Sequence, residues 1–146
     1  MNTFEKMLFL KSTPLFCMIK EEALINVAQS MENETVAAGK TIIKKGEVSD
    51  TMYVIVSGKV KIHDGSILIK EMSSKEIFGE LSTFLLDERI ASVTTVEDCF
   101  FLKINQPIIY ELIEALPEFS LGVIQFLCKR IREISKSQIE ALPRKG

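Results

Sequence analysis

The chain has 146 residues, of which 47% are apolar and 26% charged, and its formal net charge at pH 7 is −2. This composition suits a single domain that folds without disulfides, and the slight acidic excess excludes a general nucleic-acid binder, which needs basic groups to displace counterions. With no apolar run of about 18 residues and no basic N-terminal segment leading into an apolar stretch, we expect neither a membrane span nor a secretory signal.

Cysteine and histidine are too sparse for most metal and nucleophilic chemistry. The three cysteines, Cys17, Cys99 and Cys128, lack CxxC spacing, so we expect buried, reduced thiols in a cytoplasmic protein. The single histidine, His63, cannot supply the ligand cluster of a metal site, which argues against a metal-dependent cupin enzyme. We therefore predict no catalytic residues, no metal and no cofactor.

Helical patterns dominate residues 1–33. Asn2 and Glu5 have the spacing of a capping pair at the start of a first helix, and Thr13-Pro14 ends it. A second helix is predicted from about Lys20 to Met31, because its apolar residues recur on one face.

From residue 34 to residue 105 the pattern changes to short β-rich runs separated by turn residues. The continuous apolar run Met52–Val56 is typical of a strand buried on both faces. Asp64-Gly65 predicts a type I′ hairpin turn, and Thr51–Met72 is interpreted as a meander.

The third zone, residues 106–143, returns to helices. Asn105 is predicted to cap a helix over about Gln106–Ala115, and Pro117 is well suited to begin a long final helix. That helix carries one apolar stripe: Phe119, Val123, Leu127, Ile131 and Ile134. Its basic residues are interpreted as a solvated surface or as a basic face for a partner: Lys129, Arg130, Arg132 and Lys136.

The apolar stripe could also pair with a copy of itself, so a homodimer is one alternative for the assembly. No repeat, low-complexity tract or linker separates the three zones. Residues 1–146 are therefore predicted to form one domain.

The segment between Glu76 and Val93 interrupts the strand rhythm in a way that suits phosphate binding. An apolar run ends at Phe78-Gly79, a short helix is predicted over Leu81–Leu85, and a new strand is expected at about Ile90. A glycine lets the backbone approach a ligand closely, and the first N–H groups of a helix attract anions.

Two charged residues complete this cradle. The guanidinium of Arg89 can donate charge-assisted hydrogen bonds to a phosphate, and the carboxylate of Glu80 can accept one from a ribose hydroxyl. The Phe-Gly-Glu triplet alone is equally typical of a strand-ending turn with a surface Glu–Arg pair.

The whole segment resembles the phosphate-binding cassette of the cyclic-nucleotide-binding domain family. The matching residues are Phe78-Gly79-Glu80-Leu81-Ser82 and Arg89-Ile90-Ala91-Ser92-Val93. A second family signature, two glycines that bracket a buried strand, matches Ile42–Gly58. The resemblance covers roughly residues 5 to 135.

The resemblance implies an α+β fold, mainly antiparallel β: a double-stranded β-roll (jelly roll, cupin-like) flanked by N-terminal helices and a long C-terminal lid helix. It implies that Arg89 pairs with the cyclic phosphate and that Glu80 holds the 2′-hydroxyl. Backbone N–H groups around Leu81, Ser82 and Ala91 would line the pocket, and Leu127 or Ile131 of the lid would approach the purine. The implied nucleotide-binding residues are Phe78, Gly79, Glu80, Leu81, Ser82, Arg89, Ile90, Ala91 and Ser92.

Ile90 departs most from the family pattern, which has a small or hydroxylated residue directly after the arginine. An isoleucine cannot donate the hydrogen bond that a threonine gives to guanine in relatives that prefer cyclic GMP, so cyclic AMP is the expected ligand. Crowding by Ile90 also leaves an alternative: a degenerate domain of the same fold that binds no nucleotide and serves as a structural or protein-interaction scaffold. Ser92 supplies a hydroxyl nearby.

The output of such a sensor is less defined by the sequence. Few residues follow the long helix, so we expect no helix-turn-helix and no direct nucleic-acid binding. The partner is expected to be an unknown protein or a fused domain, and the sequence leaves open whether the chain is a stand-alone sensor or an excised domain.

Overall fold

A computed structural model describes residues 1–143, apart from the side chains at positions 81 and 82. Its elements in chain order are α1 (Thr3–Lys11), α2 (Glu21–Gln29), β1 (Glu32–Val36), β2 (Thr41–Ile43), β3 (Thr51–Ser57), β4 (Val60–Asp64), β5 (Ile67–Met72), β6 (Ile77–Phe78), α3 (Glu80–Leu85), β7 (Ser92–Thr95), β8 (Cys99–Asn105), α4 (Gln106–Ala115) and α5 (Pro117–Glu140).

Two antiparallel four-stranded sheets form a β-roll, with strand orders β1-β8-β3-β6 and β2-β7-β4-β5. Helices α1 and α2 precede the roll, and α4 and the long α5 follow it. The predicted α+β class, mainly antiparallel β with flanking helices, is confirmed.

Strand β3 has one face in each of two hydrophobic cores, because side chains alternate along a strand. Met52 and Val54 pack against the helices, in a core that also contains Phe119 of α5. Tyr53 and Ile55 point to the opposite side, into the interior of the roll, where Phe101 of β8 is fully buried. The predicted burial of Met52–Val56 on both faces is therefore correct.

The predicted Thr51–Met72 meander is wrong, because β3 and β4 lie in different sheets. The chain crosses between the sheets at Gly58, which has φ +95°. A Cβ atom there would lie 2.5 Å from the carbonyl oxygen of Asp98, so only glycine fits this crossing. A sequence pattern of strands and turns does not distinguish such a crossing from a hairpin.

The β4–β5 hairpin exists, but its turn differs from the predicted type I′. Asp64 pairs with Ile67, so the two loop residues are Gly65 and Ser66. Gly65, at φ +57°, is the one with positive φ, which is the pattern of a type II′ turn.

Other element boundaries moved by one or two residues. The strand-rich zone begins at Glu32 instead of residue 34, and the strand after the cassette begins at Ser92 instead of Ile90. The second helix occupies Glu21–Gln29 rather than Lys20–Met31, and α3 starts at Glu80 rather than Leu81.

Helix caps agree with the sequence. The Asn2 side chain accepts a hydrogen bond from the Glu5 amide at 2.8 Å, and Asn105 caps α4 through the Ile108 amide at 3.3 Å. Because these oxygens bond amides that have no partner within the helix, they fix where each helix begins.

The α5 stripe is only half buried, and two of the three cysteines are not buried. Phe119 and Val123 lie in the core, whereas Ile131 is 63% exposed. Cys99 is a buried thiol, Cys17 is half-buried and Cys128 is exposed; all three are free. None of the described helices combines the length and apolarity needed to cross a bilayer.

Gly58→Ala tests the crossing between the sheets. Gly39, at φ +79° with no atom within 4 Å of an added Cβ, is the matched control. We expect Gly39→Ala to cost about 1–2 kcal/mol of unfolding free energy through backbone strain alone. Gly58→Ala should cost about 1–3 kcal/mol more, because the Asp98 backbone must move. Urea denaturation measures both, and equal losses would contradict the packing argument.

A candidate anion-binding cavity beside the C-terminal helix

A cavity of about 230 Å³ opens between the second sheet, the segment around α3, and α5. Its lining residues are Ile43, Ile62, Ile69, Lys70, Met72, Phe78, Gly79, Glu80, Arg89, Ile90, Ala91, Val93 and Arg130. Apolar side chains from the sheet form one wall, and the charged lining residues are Glu80 and Arg89 of the cassette, Lys70 of β5 and Arg130 of α5. Such a mixture suits a ligand with both an apolar ring and an anionic group.

Arg89 is the central polar residue of the cavity and is only 4% exposed. Its Nη1 donates to the Gly79 carbonyl at 3.0 Å, and its Nη2 donates to the Thr51 carbonyl at 2.6 Å. Its Nε is buried without a hydrogen-bond partner among the described residues. A buried donor on a charged group without an acceptor is costly, so the cavity is suited to an anion.

Burial and the neighbouring groups shift the pKa of Arg89 in opposite directions. Burial lowers the pKa of Arg89, while Tyr53 and the carboxylate of Asp50 oppose that shift. The ordinary pKa of an arginine side chain lies so far above neutrality that Arg89 remains cationic at neutral pH in spite of this downward shift.

Gly79 allows the arginine to approach the end of β6. Its φ is +86°, and a Cβ atom there would lie 2.8 Å from the Thr51 carbonyl oxygen and 2.9 Å from Nη1 of Arg89. Any other residue at this position would displace the guanidinium or strain the backbone.

Backbone hydrogen bonds hold the main chain of Arg89 in place. Its amide donates to the Glu47 carbonyl, and its carbonyl accepts from the Gly46 amide, each at 2.8 Å. Phe78 is held by stacking on Tyr53, with ring centroids 5.0 Å apart. Both ends of the cassette are therefore anchored to the roll.

Glu80 forms an ion pair that the sequence analysis missed. Its Oε1 lies 2.6 Å from Nη1 of Arg130 on α5, and its side chain is 8% exposed. Nη2 of Arg130 also donates to the Ile77 carbonyl at 2.7 Å, and its guanidinium lies 4.8 Å from the Phe126 ring centroid. The interpretation of Arg130 as a solvated surface charge or a partner-binding group is wrong.

A sequence signal for Arg130 did exist. The buried residues Phe119, Val123 and Phe126 step by four and three along α5, and Arg130 continues that face after four more residues.

Six of the nine predicted nucleotide-binding residues line the cavity. They are Phe78, Gly79, Glu80, Arg89, Ile90 and Ala91. The side chains of Leu81 and Ser82 lie outside the described part of the structure. Ser92 is not among the lining residues: its hydroxyl accepts from the Lys45 amide at 3.0 Å.

Two further expectations concern crowding by Ile90 and the approach of Leu127 or Ile131 from α5. Ile90 is 75% exposed, so it borders the opening and leaves the interior of the cavity uncrowded. Neither Leu127 nor Ile131 lines the cavity: Leu127 packs against the helical core, and Ile131 is exposed. In this conformation α5 contributes Arg130 instead.

Comparisons with known proteins place this site in a family. The sequence model described as "Cyclic nucleotide-binding domain" matches residues 33–115. The CRP-like cAMP-activated global transcriptional regulator of Mycobacterium tuberculosis is 28% identical over 128 residues, which cover 84% of this chain and 57% of that protein. The cyclic AMP receptor protein of Thermus thermophilus is 28% identical over 129 residues, 85% of this chain and 60% of the relative.

A solved structure of a relative is also similar to this chain. The crystal structure of Thermus thermophilus catabolite activator protein superimposes with a TM-score of 0.77 at 26% identity, covering 86% of this chain and 62% of that one. The chain thus spans roughly three fifths of the length of these relatives.

The Glu80–Arg130 pair can be measured with a double-mutant cycle of Arg130→Met and Glu80→Gln. Arg130→Met should lower the unfolding free energy by about 2 kcal/mol, because it leaves a buried carboxylate without its partner. The coupling energy should be about 1–2 kcal/mol. Urea denaturation of the four proteins measures it, with Lys129→Met, a change at an exposed neighbour, as the control. Strict additivity would mean that the pair does not stabilise α5 on the cassette.

Proposed function

The chain belongs to the cyclic nucleotide-binding domain family, and we propose that it is a sensor of cyclic AMP. The site binds the nucleotide and performs no chemistry on it. Binding changes the position of α5, which signals to a protein partner or to a fused domain.

The buried, unpartnered Nε of Arg89 is the observation that carries this proposal. A cyclic phosphate bears one negative charge, which a single guanidinium neutralises. The phosphate oxygens accept from Nε and from the remaining N–H groups of Arg89, which has five donors in all. Charge-assisted hydrogen bonds of this kind are about twice as strong as neutral ones.

The rest of the nucleotide fits the remaining chemistry of the cavity. Glu80 keeps acceptor capacity beside its bond to Arg130, because a carboxylate offers about four lone-pair sites. It therefore accepts a hydrogen bond from the ribose 2′-hydroxyl. The apolar wall, which includes Ile62 and Val93, receives the purine.

Arg130 connects the site to α5. The same carboxylate that holds the ribose also holds the long helix, through the 2.6 Å contact with Arg130. A ligand that moves Glu80 changes this contact, and the equilibrium between helix positions shifts by the ligand's difference in affinity for them.

The alternative of a degenerate scaffold is not favoured. Its main support was crowding by Ile90, and that side chain lies at the opening with 75% of its surface exposed. The two names that describe the M. tuberculosis and T. thermophilus relatives, an activated regulator and a receptor, also support a regulatory binding module over an enzyme. Its cytoplasmic location stays a prediction.

The exposed part of α5 supports a homodimer as one form of the partner. Ile124, Ile131 and Ile134 are seven and three residues apart, which is the spacing of a coiled-coil seam. Ile124, Ile131 and Ile134 are 58%, 63% and 60% exposed. A two-fold axis beside α5 would cover this seam with its own copy, since such interfaces are self-complementary.

Arg89→Ala tests the phosphate assignment. We expect it to weaken cyclic AMP binding by ~30-fold or more, because the phosphate loses its buried partner. Titration calorimetry with cyclic AMP, cyclic GMP and 5′-AMP measures the effect. Arg132→Ala, on an exposed part of α5, is the control.

A folding check accompanies that titration, because Arg89 also bonds two backbone carbonyls. Arg89→Lys keeps the charge but loses the planar fork, and it should bind with intermediate affinity. Wild-type affinity in a folded Arg89→Ala protein would refute the assigned role.

Ile131→Glu tests the dimer. A carboxylate in the seam should raise the dimer dissociation constant by at least ~tenfold, since like charges would face each other across the axis. Sedimentation equilibrium measures the shift, and Val48→Glu, at an equally exposed apolar residue away from α5, should leave it unchanged. A wild-type protein that stays monomeric at high micromolar concentration would exclude this interface.

A further inference from the structure

The carbonyl oxygen of Gly79 accepts hydrogen bonds from three donors of the described residues. Nη1 of Arg89 lies 3.0 Å from it, the hydroxyl of Thr83 lies 2.8 Å from it, and the amide of Thr83 lies 3.2 Å from it. A backbone carbonyl offers two lone pairs. One of the three bonds can therefore be given up without leaving this oxygen unsatisfied.

Thr83 is held firmly in its place on α3. The residue is completely buried, and its carbonyl accepts a hydrogen bond from Nε2 of Gln106 on α4 at 2.8 Å. A threonine in a helix commonly donates to the carbonyl four residues back. In α3 that carbonyl belongs to Gly79, the same group that anchors the buried guanidinium of Arg89.

The binding of an anion changes what Arg89 can hold. The guanidinium is planar and rigid, so a turn that directs its buried Nε at a phosphate also moves Nη1 relative to the Gly79 carbonyl. A buried carbonyl that loses its donor carries a desolvation penalty, which would oppose that turn. The hydroxyl of Thr83 removes the penalty, because it keeps the carbonyl bonded in either orientation of the guanidinium.

We propose that Thr83 is a positioning residue for Arg89: its hydroxyl holds the Gly79 carbonyl while the guanidinium turns toward the bound phosphate. This inference rests on the proposed function, in which Arg89 pairs with the cyclic phosphate. Thr83 does not line the cavity, so it acts on the ligand through Gly79 and Arg89. Its effect is therefore the same for cyclic AMP and cyclic GMP, which share the cyclic phosphate.

Thr83→Val and Thr83→Ser separate the hydroxyl from the packing of the side chain. Valine keeps the volume but loses the hydroxyl, whereas serine keeps the hydroxyl but loses a buried methyl group. We expect Thr83→Val to weaken the binding of both cyclic nucleotides by about fivefold, the factor for one net hydrogen bond. Thr83→Ser should bind within about twofold of wild type, although the lost methyl group lowers its unfolding free energy.

Thr13→Val is the matched control. Thr13 is also completely buried, and its hydroxyl and amide donate to one carbonyl, that of Leu10, at 2.6 and 2.9 Å. It directly follows the C-cap residue of α1 and does not line the cavity. We expect Thr13→Val to change neither dissociation constant.

A double-mutant cycle with Arg89→Lys shows whether Thr83 acts through the guanidinium. Lysine has a flexible stem and no rigid fork that couples the Gly79 carbonyl to the phosphate. In that background Thr83→Val should change the affinity by about twofold or less. A loss as large as the one in the wild-type background would contradict a role exerted through Arg89.

Calorimetric titration of these proteins with cyclic AMP and cyclic GMP gives the dissociation constants, and urea denaturation gives the unfolding free energies. Three results would overturn the role of Thr83 alone: wild-type affinity in Thr83→Val, weaker binding by Thr83→Ser than by Thr83→Val, or a Thr83→Val loss that differs between the two nucleotides. Wild-type protein that binds neither nucleotide would overturn the proposed function itself, and this inference with it.

Discussion

The buried guanidinium of Arg89 is the interaction on which the site depends. It joins the start of β3, through the Thr51 carbonyl, to the end of β6, through the Gly79 carbonyl. Its own backbone pairs with the turn at Gly46 and Glu47. The end of β6, the start of β3 and the turn at Gly46 and Glu47 thus meet at one residue, whose Nε is buried without a partner among the described residues.

Packing of the two cores explains why the cavity lies where it does. Strand β3 contributes to both cores. Packing therefore fixes its position relative to the helices and relative to the interior of the roll. The cassette leaves the roll directly beside β3, because β6 pairs with Tyr53 and Val54. The site is therefore built beside a strand that both cores hold in place, while its opening is bordered by an exposed side chain, Ile90.

Charge links this rigid site to the long helix. Glu80 begins α3 and Arg130 lies past the middle of α5, yet their side chains meet at 2.6 Å. Because the carboxylate is nearly buried, changing its partners has a larger energetic effect than the same change at the surface. Helix α5 beyond this contact carries exposed isoleucines, and in the proposed function a shift at the cassette would be transmitted to this surface.

The sequence by itself determined the helices, the strand-rich zone and the cassette, because caps, periodicity and a glycine–arginine pair are local signals. Asn2, Asn105 and the run Met52–Val56 all have the predicted roles. Tertiary structure alone decided what depends on contacts between distant residues: the crossing at Gly58, the bond of Glu80 to Arg130, and the carbonyl partners of the Arg89 guanidinium. Strand register and helix docking set these contacts; the local pattern of α5 places Arg130 on the buried face but does not identify Glu80 as its partner.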